Sequence, residues 1–243
     1  VNETGNATAH GKAIASMGLT PRLGHLVIRG RELSYTSTAC ALAALLSEKD
    51  VLKPVQTPWS EPLPDLQVRL ELLEGKRPYT PGFVVDENAL RRVKEQAQHL
   101  RQRLREQKAS IDHEAAGILT ALAYPDRIAQ LETSGRVRLV TGQRVALQTE
   151  LFGEAPFYGI AHLEIGSRPR ALLAAPLTKT EILKYFAEQL EELDEVRWDE
   201  ATGRVMARSI TRLGALVLEE KQQPNPDPEQ IADAQPLLWQ MQL

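Results

Sequence analysis

The chain has 243 residues, 42% hydrophobic and 25% charged, so it is long enough to bury one large core or two smaller ones. Its formal net charge of -3 excludes the overall basicity of a histone-like or tail-type nucleic-acid binder, although single segments can still be basic. No apolar stretch approaches the ~18 residues that span a bilayer, and the N-terminus lacks the pattern of a signal peptide. We therefore expect a cytoplasmic protein without a membrane partner.

The first motif, GNATAHGKA from Gly5 to Ala13, resembles a phosphate-binding loop but has the wrong spacing. A P-loop has the form GxxxxGK followed by Ser or Thr, because its N–H groups surround the phosphates and its hydroxyl reaches magnesium. Here Asn6 stands where the leading glycine is needed, and Ala13 follows the lysine. We interpret the motif as a turn before a helix capped by Thr8 and running to about Met17.

The first half of the sequence predicts packed helices. A cap and proline at Thr20-Pro21 open the second helix, and the third carries the apolar run ACALAALL, in which we expect Cys40 to be buried. A proline-bearing loop with Trp59 follows. Further helices are expected from Asp65 to Leu73, from Asp86 to about Lys108 and from about Asp112 to Tyr124.

The helix expected after Asp86 has two distinct surfaces. Its apolar residues recur three and four positions apart, which is the pattern of a helix packed on a partner: Leu90, Val93, Ala97, Leu100 and Leu104. Its cations outnumber its acids and are Arg91, Arg92, Lys94, Arg101, Arg103, Arg105 and Lys108. Two interpretations stay open, a solvated helix face and a surface that contacts phosphates.

The second half of the sequence predicts strands around one helix. A hairpin is expected from Arg136 through the turn at Thr141-Gly142, followed by strands near 157–165 and 171–175. An amphipathic helix is predicted from Thr178 to Leu193, with Glu191 and Glu192 on its solvated face. Strands resume near 196–198, 205–210 and 215–218, and a last helix is expected from about Pro228. The order of strands and helix is that of an OB-type barrel, and other small β barrels share it.

Catalytic motifs are absent from the sequence. The five histidines are scattered, and Asp112-His113-Glu114 lacks the second histidine of a zinc-protease helix. There is no GxSxG elbow, no GxGxxG and no acidic Walker B run after an apolar strand. We therefore expect no catalytic residue and no metal site in this chain.

Several motifs resemble one family of helicases. Gly5-x-x-Thr8-x-x-Gly11-Lys12 and Leu19-Thr20-Pro21-Arg22-Leu23 are similar to turns in the helicase-associated region of DEAH-box helicases. The segments ACALAALLSEKD (39–50), AGILTALAYPDRIA (116–129), WDEATGRVMAR (198–208) and RLGALVL (212–218) resemble signatures of the bacterial HrpB-type ATP-dependent RNA helicases. The sequence departs from the family at Gln130-Leu131, where members often have paired arginines, and after Asp233.

The resemblance implies a C-terminal accessory region with an α+β fold. It divides the chain into a partial winged helix with the first bundle helices (1–52), a ratchet-like helical bundle (53–130), an OB-like β domain (131–222) and a C-terminal helix (223–243) leading to a further region. It also implies that the chain is a fragment. The RecA-type lobes that bind ATP and Mg²⁺ would lie upstream in the same parent chain, and the fragment itself would hold no cofactor.

We expect the chain to guide single-stranded RNA or DNA for the parent helicase. Strand tracking needs cations that meet phosphates without reading bases. The candidate nucleic-acid-binding residues are Arg127, Arg136, Arg138, Arg144, Arg168 and Arg170. The alternative is a protein-interaction module that docks helicase lobes or another partner without touching nucleic acid. The apolar stripe from Leu90 to Leu104 distinguishes the two, because it would be exposed in an interaction module and covered in a bundle core. An independent enzyme is the third hypothesis.

Overall fold

The structure, a computed structural model, describes residues 5–55, 65–78, 80, 82–133, 135–148, 155–199 and 204–223. Helices dominate up to residue 123, and strands dominate after it. The loop around Trp59, the turn at 200–203 and the helix expected from Pro228 lie outside the described residues.

The N-terminal half of the described chain contains six helices, one of which lies at the centre of the others. The helices are α1 (Ala9–Ser16), α2 (Pro21–Glu32), α3 (Thr36–Ser47), α4 (Leu66–Leu73), α5 (Glu87–Arg103) and α6 (Ala115–Ala123). Strands β1 (Leu52–Pro54) and β2 (Phe83–Val85) pair antiparallel beside them. Helix α3 is buried from Thr36 to Leu45 and packs against α2, α4, α5 and α6, so it forms the centre of the bundle.

Capping side chains start three of the helices, among them the predicted cap Thr8. The side chains of Thr8, Asp65 and Asp86 each accept a hydrogen bond from a backbone N–H in the first turn of α1, α4 and α5. Thr20 makes no such bond, and Pro21 alone marks the start of α2. Helix α5 ends at Arg103, earlier than predicted, because the chain turns through Arg105 in the left-handed region (φ 55°).

The barrel consists of five strands, and all of them precede the helix that begins after Thr178. They are β3 (Ile128–Thr133), β4 (Arg136–Leu139), β5 (Arg144–Ala146), β6 (Phe157–Glu164) and β7 (Arg170–Leu177). Their order around the closed barrel is β3-β4-β5-β7-β6, with β5 and β7 parallel. The predicted hairpin is β4 and β5, and buried Val137, Tyr158 and Ile160 belong to the barrel core. The predicted fold class, a helical part followed by an OB-like barrel, is confirmed.

The prediction of one helix from Thr178 to Leu193 is wrong in its second half. The capping box of Thr178 and Glu181 starts α7 (Lys179–Tyr185), which gives way to a 3-10 turn at Ala187–Gln189. The chain then forms β8 (Leu190–Asp199), β9 (Arg204–Leu213) and β10 (Leu216–Gln223), a separate sheet in the order β10-β9-β8. Strand β9 supplies the reason, because every residue of β8 from Leu190 to Asp199 pairs with it, and Glu191 also meets Arg212 in an ion pair.

Two glycines allow α6 to touch the barrel through its backbone. A Cβ atom on Gly117 would lie 1.7 Å from the carbonyl oxygen of Pro176 on β7. A Cβ atom on Gly159 of β6 would lie 2.7 Å from the carbonyl oxygen of Gly117. Because neither obstacle is a flexible side chain, any larger residue must separate the helix from the barrel.

We expect Gly117→Ala to lower the free energy of unfolding by ~3 kcal/mol, because the added methyl group forces the α6 and β7 backbones apart. Gly166→Ala is the control, since its Cβ atom would meet nothing within 4 Å and we expect a change of at most about 0.5 kcal/mol. Urea unfolding followed by circular dichroism measures both variants. Equal stability of the two variants would contradict the close packing of α6.

Candidate nucleic-acid interface

Helix α5 is held at its N-terminus by Asp86. The Asp86 carboxylate accepts hydrogen bonds from the N–H groups of Asn88 and Ala89, both at 3.1 Å, and lies 2.6 Å from the Lys53 ammonium. The hydrogen bond from Lys53, followed by that from Ala89, lowers the pKa of the Asp86 carboxyl to about 2. The cap therefore stays ionised and ties α5 to β1.

The apolar stripe of α5 belongs to the core of the bundle. Leu90, Val93, Ala97 and Leu100 are buried, and Leu104 is partly buried against the same cluster. The stripe is therefore not an exposed docking surface, and the interaction-module hypothesis loses the feature that would have favoured it.

The polar face of α5 and the turn after it carry cations with few acidic partners. Of the seven cations between Arg91 and Lys108, Arg92 alone forms an ion pair with a described carboxylate, at 3.7 Å from Glu48. Arg91 and Arg103 donate to neutral oxygens, the side-chain oxygen of Asn88 and the carbonyl of Met17, which leave their positive charge uncompensated. This surface, which we call the α5 basic face, is therefore an electropositive region on a chain of net negative charge.

Two of the predicted barrel arginines share one carboxylate. Arg138 and Arg144 each place Nε 2.6 Å from an oxygen of Glu132, and Arg144 donates a second hydrogen bond at 3.1 Å. The hydrogen bond from Arg144 lowers the pKa of Glu132 despite opposing desolvation, and the same bond raises the pKa of Arg144. Both guanidiniums are therefore engaged in the barrel wall.

The other barrel arginines divide into paired and unpaired cations. Arg170 lies 2.5 Å from Glu164 across the β6–β7 pair. Arg136 at the start of β4 and Arg168 in the turn between β6 and β7 are exposed, and neither forms an ion pair with a described carboxylate. Arg136 and Arg168 are thus the exposed cations of the predicted barrel site that have no described acidic partner.

Arg127 lies in a cluster that joins the helices to the barrel. Its guanidinium packs 4.9 Å from the centre of the Tyr124 ring and donates to the carbonyl of Ala161 on β6 at 2.9 Å. Arg22 from α2 also packs on Tyr124, at 5.2 Å, and lies 2.5 Å from Asp126. Burial acts to raise the pKa of Asp126, but the hydrogen bond and charge of Arg22 outweigh it, and the pKa is lowered. Arg127 is therefore a structural link between the end of α6 and β6 as well as a predicted contact.

Gln130 shows what replaces the paired arginines of the resembling family. Its side-chain amide donates to the carbonyl of Val217 on β10 at 3.0 Å, and the N–H of Ala215 donates to the carbonyl of Val140 at 2.9 Å. These bonds connect the barrel with the three-stranded sheet. At this position the chain therefore has an amide that bonds to β10 and no cation.

The single cysteine and two of the histidines lie outside the proposed interface residues. Cys40 is fully buried, and burial raises the pKa of its thiol to about 12. Two histidines that are distant in sequence meet, with His10 Nε2 2.8 Å from His25 Nδ1, a pair that no local pattern reveals.

Among the described residues no three His, Cys, Asp or Glu side chains are grouped as metal ligands. No described helix has the length and apolar character to cross a bilayer.

Comparison with known proteins adds three findings. Residues 189–223, which contain the whole three-stranded sheet, match the family model for the connector region of ATP-dependent RNA helicase HrpB. The fold is similar to the crystal structure of the Escherichia coli DExH-box NTPase HrpB, with a TM-score of 0.64, 23% identity and coverage of 93% of this chain and 26% of that one. It is also similar to the crystal structure of the Escherichia coli DEAH/RHA helicase HrpB, with a TM-score of 0.65, 22% identity and the same coverages. No curated protein sequence matches.

These findings agree with the sequence motifs. The predicted resemblance to the HrpB-type helicases is confirmed, and at this identity the two crystal structures show the fold alone. The chain spans about a quarter of the length of these structures.

The Asp86 cap predicts a specific response to acid. Because its folded-state pKa of about 2 lies below the ordinary value of 3.8, its stabilising contribution is present above pH 3.8 and is lost as the pH falls toward 2. Asp86→Asn keeps an oxygen for the cap but removes the charge. We expect wild type to be more stable than this variant at neutral pH and the difference to vanish between pH 3.8 and about 2.

Urea midpoints measured across this pH range test the expectation. Other carboxylates with lowered pKa values, such as Glu132, titrate in both proteins, so their effect cancels in the difference. A difference that stays constant down to the lowest pH would show that the charge of Asp86 does not support the cap.

Proposed function

We propose that this chain is a nucleic-acid-guiding accessory part of an ATP-dependent RNA helicase of the HrpB type, without ATPase activity of its own. The observation that carries the proposal is the contrast between the α5 basic face, with one ion-paired cation of seven, and the barrel and three-stranded sheet, where most described arginines pair with carboxylates. Cations without acidic partners form the kind of surface that attracts a phosphate backbone.

The α5 basic face suits a strand that slides. Cations on the exposed side of a helix can contact phosphates whatever the base sequence of the strand, so they position the strand without reading its bases. The buried stripe beneath them and the Asp86 cap keep the helix in place while the strand moves. Guiding of this kind needs no chemistry within the chain.

The barrel supplies a second part of the proposed path. We place Arg136 and Arg168 in direct contact with phosphates, because neither has a described acidic partner. Arg138, Arg144 and Arg170 remain proposed contacts, but a phosphate must compete with Glu132 or Glu164 for them. Arg127 contributes from the joint between α6 and β6.

ATP and Mg²⁺ belong, in this proposal, to RecA-type lobes of the parent chain. The residues that resemble a P-loop do not fit a triphosphate, because Gly11 and Lys12 lie inside α1 and the N–H of Gly11 donates to Thr8 Oγ1 at 3.0 Å. We propose that the chain works beside those lobes in the cytoplasm and that single-stranded RNA or DNA is its ligand.

The proposal predicts salt-dependent binding of single-stranded RNA by the whole chain. Fluorescence anisotropy with a labelled oligonucleotide at several salt concentrations measures affinity and its salt dependence. We expect Arg91→Gln/Arg105→Gln/Lys108→Gln to weaken binding and to make the log–log salt slope less steep by about 0.7 for each phosphate that the variant no longer neutralises. Arg136→Gln/Arg168→Gln should act in the same direction.

A matched control removes the same charge from paired sites. Arg29→Gln/Arg208→Gln/Arg212→Gln also lowers the net charge by three, but these arginines already bind carboxylates. We expect this control to bind RNA nearly as wild type does. Affinity and slope that are identical for the α5 variant and wild type would refute the assignment of the α5 basic face.

A further inference from the structure

A groove runs along one edge of α5, between this helix, α3 and the end of α4. Its volume is about 440 Å³, which falls within the roughly 300–1,000 Å³ of small-molecule sites. Residues of the segment that returns from α5 to α6, including Ile111, close it on another side. The groove is therefore large enough for a ligand and is built from four parts of the bundle.

One wall of the groove is cationic. Lys94 and Arg101, seven residues apart on α5, both line it and share one helix face. Neither forms an ion pair with a carboxylate in the described part of the chain. Arg101 has a single long hydrogen bond, with Nη1 3.4 Å from the carbonyl oxygen of Lys108. Both cations are therefore available to an anion.

The floor of the groove is apolar. Ala41 of α3 and Ala97 of α5 are buried, and Leu73 and Ile111 are partly buried hydrophobic residues packed on the same core. A flat or apolar part of a ligand that lies on this floor gains contact that a bare phosphate cannot use. The combination of floor and cations favours a ligand with both an anionic and an apolar part.

The remaining wall presents a carboxylate with free acceptor capacity. Glu74 lines the groove, and its Oε2 lies 2.8 Å from Nε2 of His113 and 3.0 Å from the Lys76 ammonium. The hydrogen bond from His113, followed by that from Lys76, lowers the pKa of the Glu74 carboxyl, so it is ionised and accepts hydrogen bonds only. Neither contact uses Oε1, which can accept a hydroxyl from a ligand.

We propose that this groove binds one ribonucleotide unit of single-stranded RNA, with its phosphate on Lys94 and Arg101, its base on the apolar floor and a ribose hydroxyl donating to Glu74. The inference rests on the proposed function and adds a site that prefers RNA to DNA. The 2′-hydroxyl is the group by which a protein distinguishes the two, and a carboxylate is a suitable acceptor for a ribose hydroxyl. An acidic peptide fits less well, because it would bring carboxylates toward Glu74.

The test compares RNA and DNA binding by the whole chain in three variants. Gln98→Trp places a bulky side chain at the groove without a change in charge, since Gln98 lines it from α5. Gln189→Trp is the control, the same change at an exposed residue of the 3-10 turn after α7, outside this groove and outside α5. Glu74→Ala removes the proposed hydroxyl acceptor. Anisotropy with a short labelled oligouridylate and its deoxy counterpart is the measurement.

We expect Gln98→Trp to weaken RNA binding about tenfold, the size of effect that the loss of one stacked base produces, and Gln189→Trp to change it less than about twofold. We expect Glu74→Ala to lower the ratio of RNA to DNA affinity about fivefold, from the loss of one hydrogen bond to a charged acceptor. Because Glu74→Ala also removes a negative charge, DNA binding should stay the same or strengthen.

Two results would overturn the proposal in different ways. If wild type binds RNA with steep salt dependence but both Gln98→Trp and Glu74→Ala leave the affinities and their ratio unchanged, the basic surface stands and the groove is not a ribonucleotide site. If wild type binds neither RNA nor DNA, the proposed function fails and the groove assignment falls with it. Should Gln98→Trp fail to fold, the RNA-to-DNA ratio of Glu74→Ala decides alone.

Discussion

The backbone contact between α6 and the barrel governs how the two halves of the described chain are joined. All residues of α6 are buried, because one side packs on α2 and α3 while the other meets β6 and β7. Gly117 and Gly159 permit this approach, since side chains there would occupy the space of carbonyl oxygens. The cluster of Tyr124 with its two arginines follows directly at the end of α6 and adds polar contacts to the same joint. Bundle and barrel therefore share one helix as part of both cores.

The distribution of charge differs between the parts that this joint connects. On the three-stranded sheet, Arg208 lies between Glu195 and Glu220, and on the barrel Glu132 holds two arginines. Exposed pairs of this kind contribute little to stability, about 0–1 kcal/mol each, but they cancel charge at a distance. On α5 and the turn after it, all the cations except Arg92 lack a described acidic partner, so most of the uncompensated cations named above lie on the bundle. The net charge of -3 for the whole sequence does not show this uneven distribution of paired and unpaired cations.

Local sequence signals predicted the elements whose stability is local. Thr8, Asp65 and Asp86 are capping side chains, and the turn at Thr141-Gly142 joins two alternating segments, so helix starts and the hairpin could be read directly. The helix-like spacing near Glu191 misled because its partner, Arg212, lies on another strand. The closed barrel also depends on pairing between distant segments, such as β3 with β6. Sequence could name the basic residues of α5, but it could not show which arginines have carboxylates beside them.

The charge of one part of the barrel surface depends on the single carboxylate of Glu132. One carboxylate forms ion pairs with both Arg138 and Arg144, so the loss of a single negative charge leaves both guanidiniums without this partner. With one negative and two positive charges, an acidic residue there holds the net charge of these three side chains at +1, whereas an uncharged replacement would raise it to +2 and make this wall more electropositive.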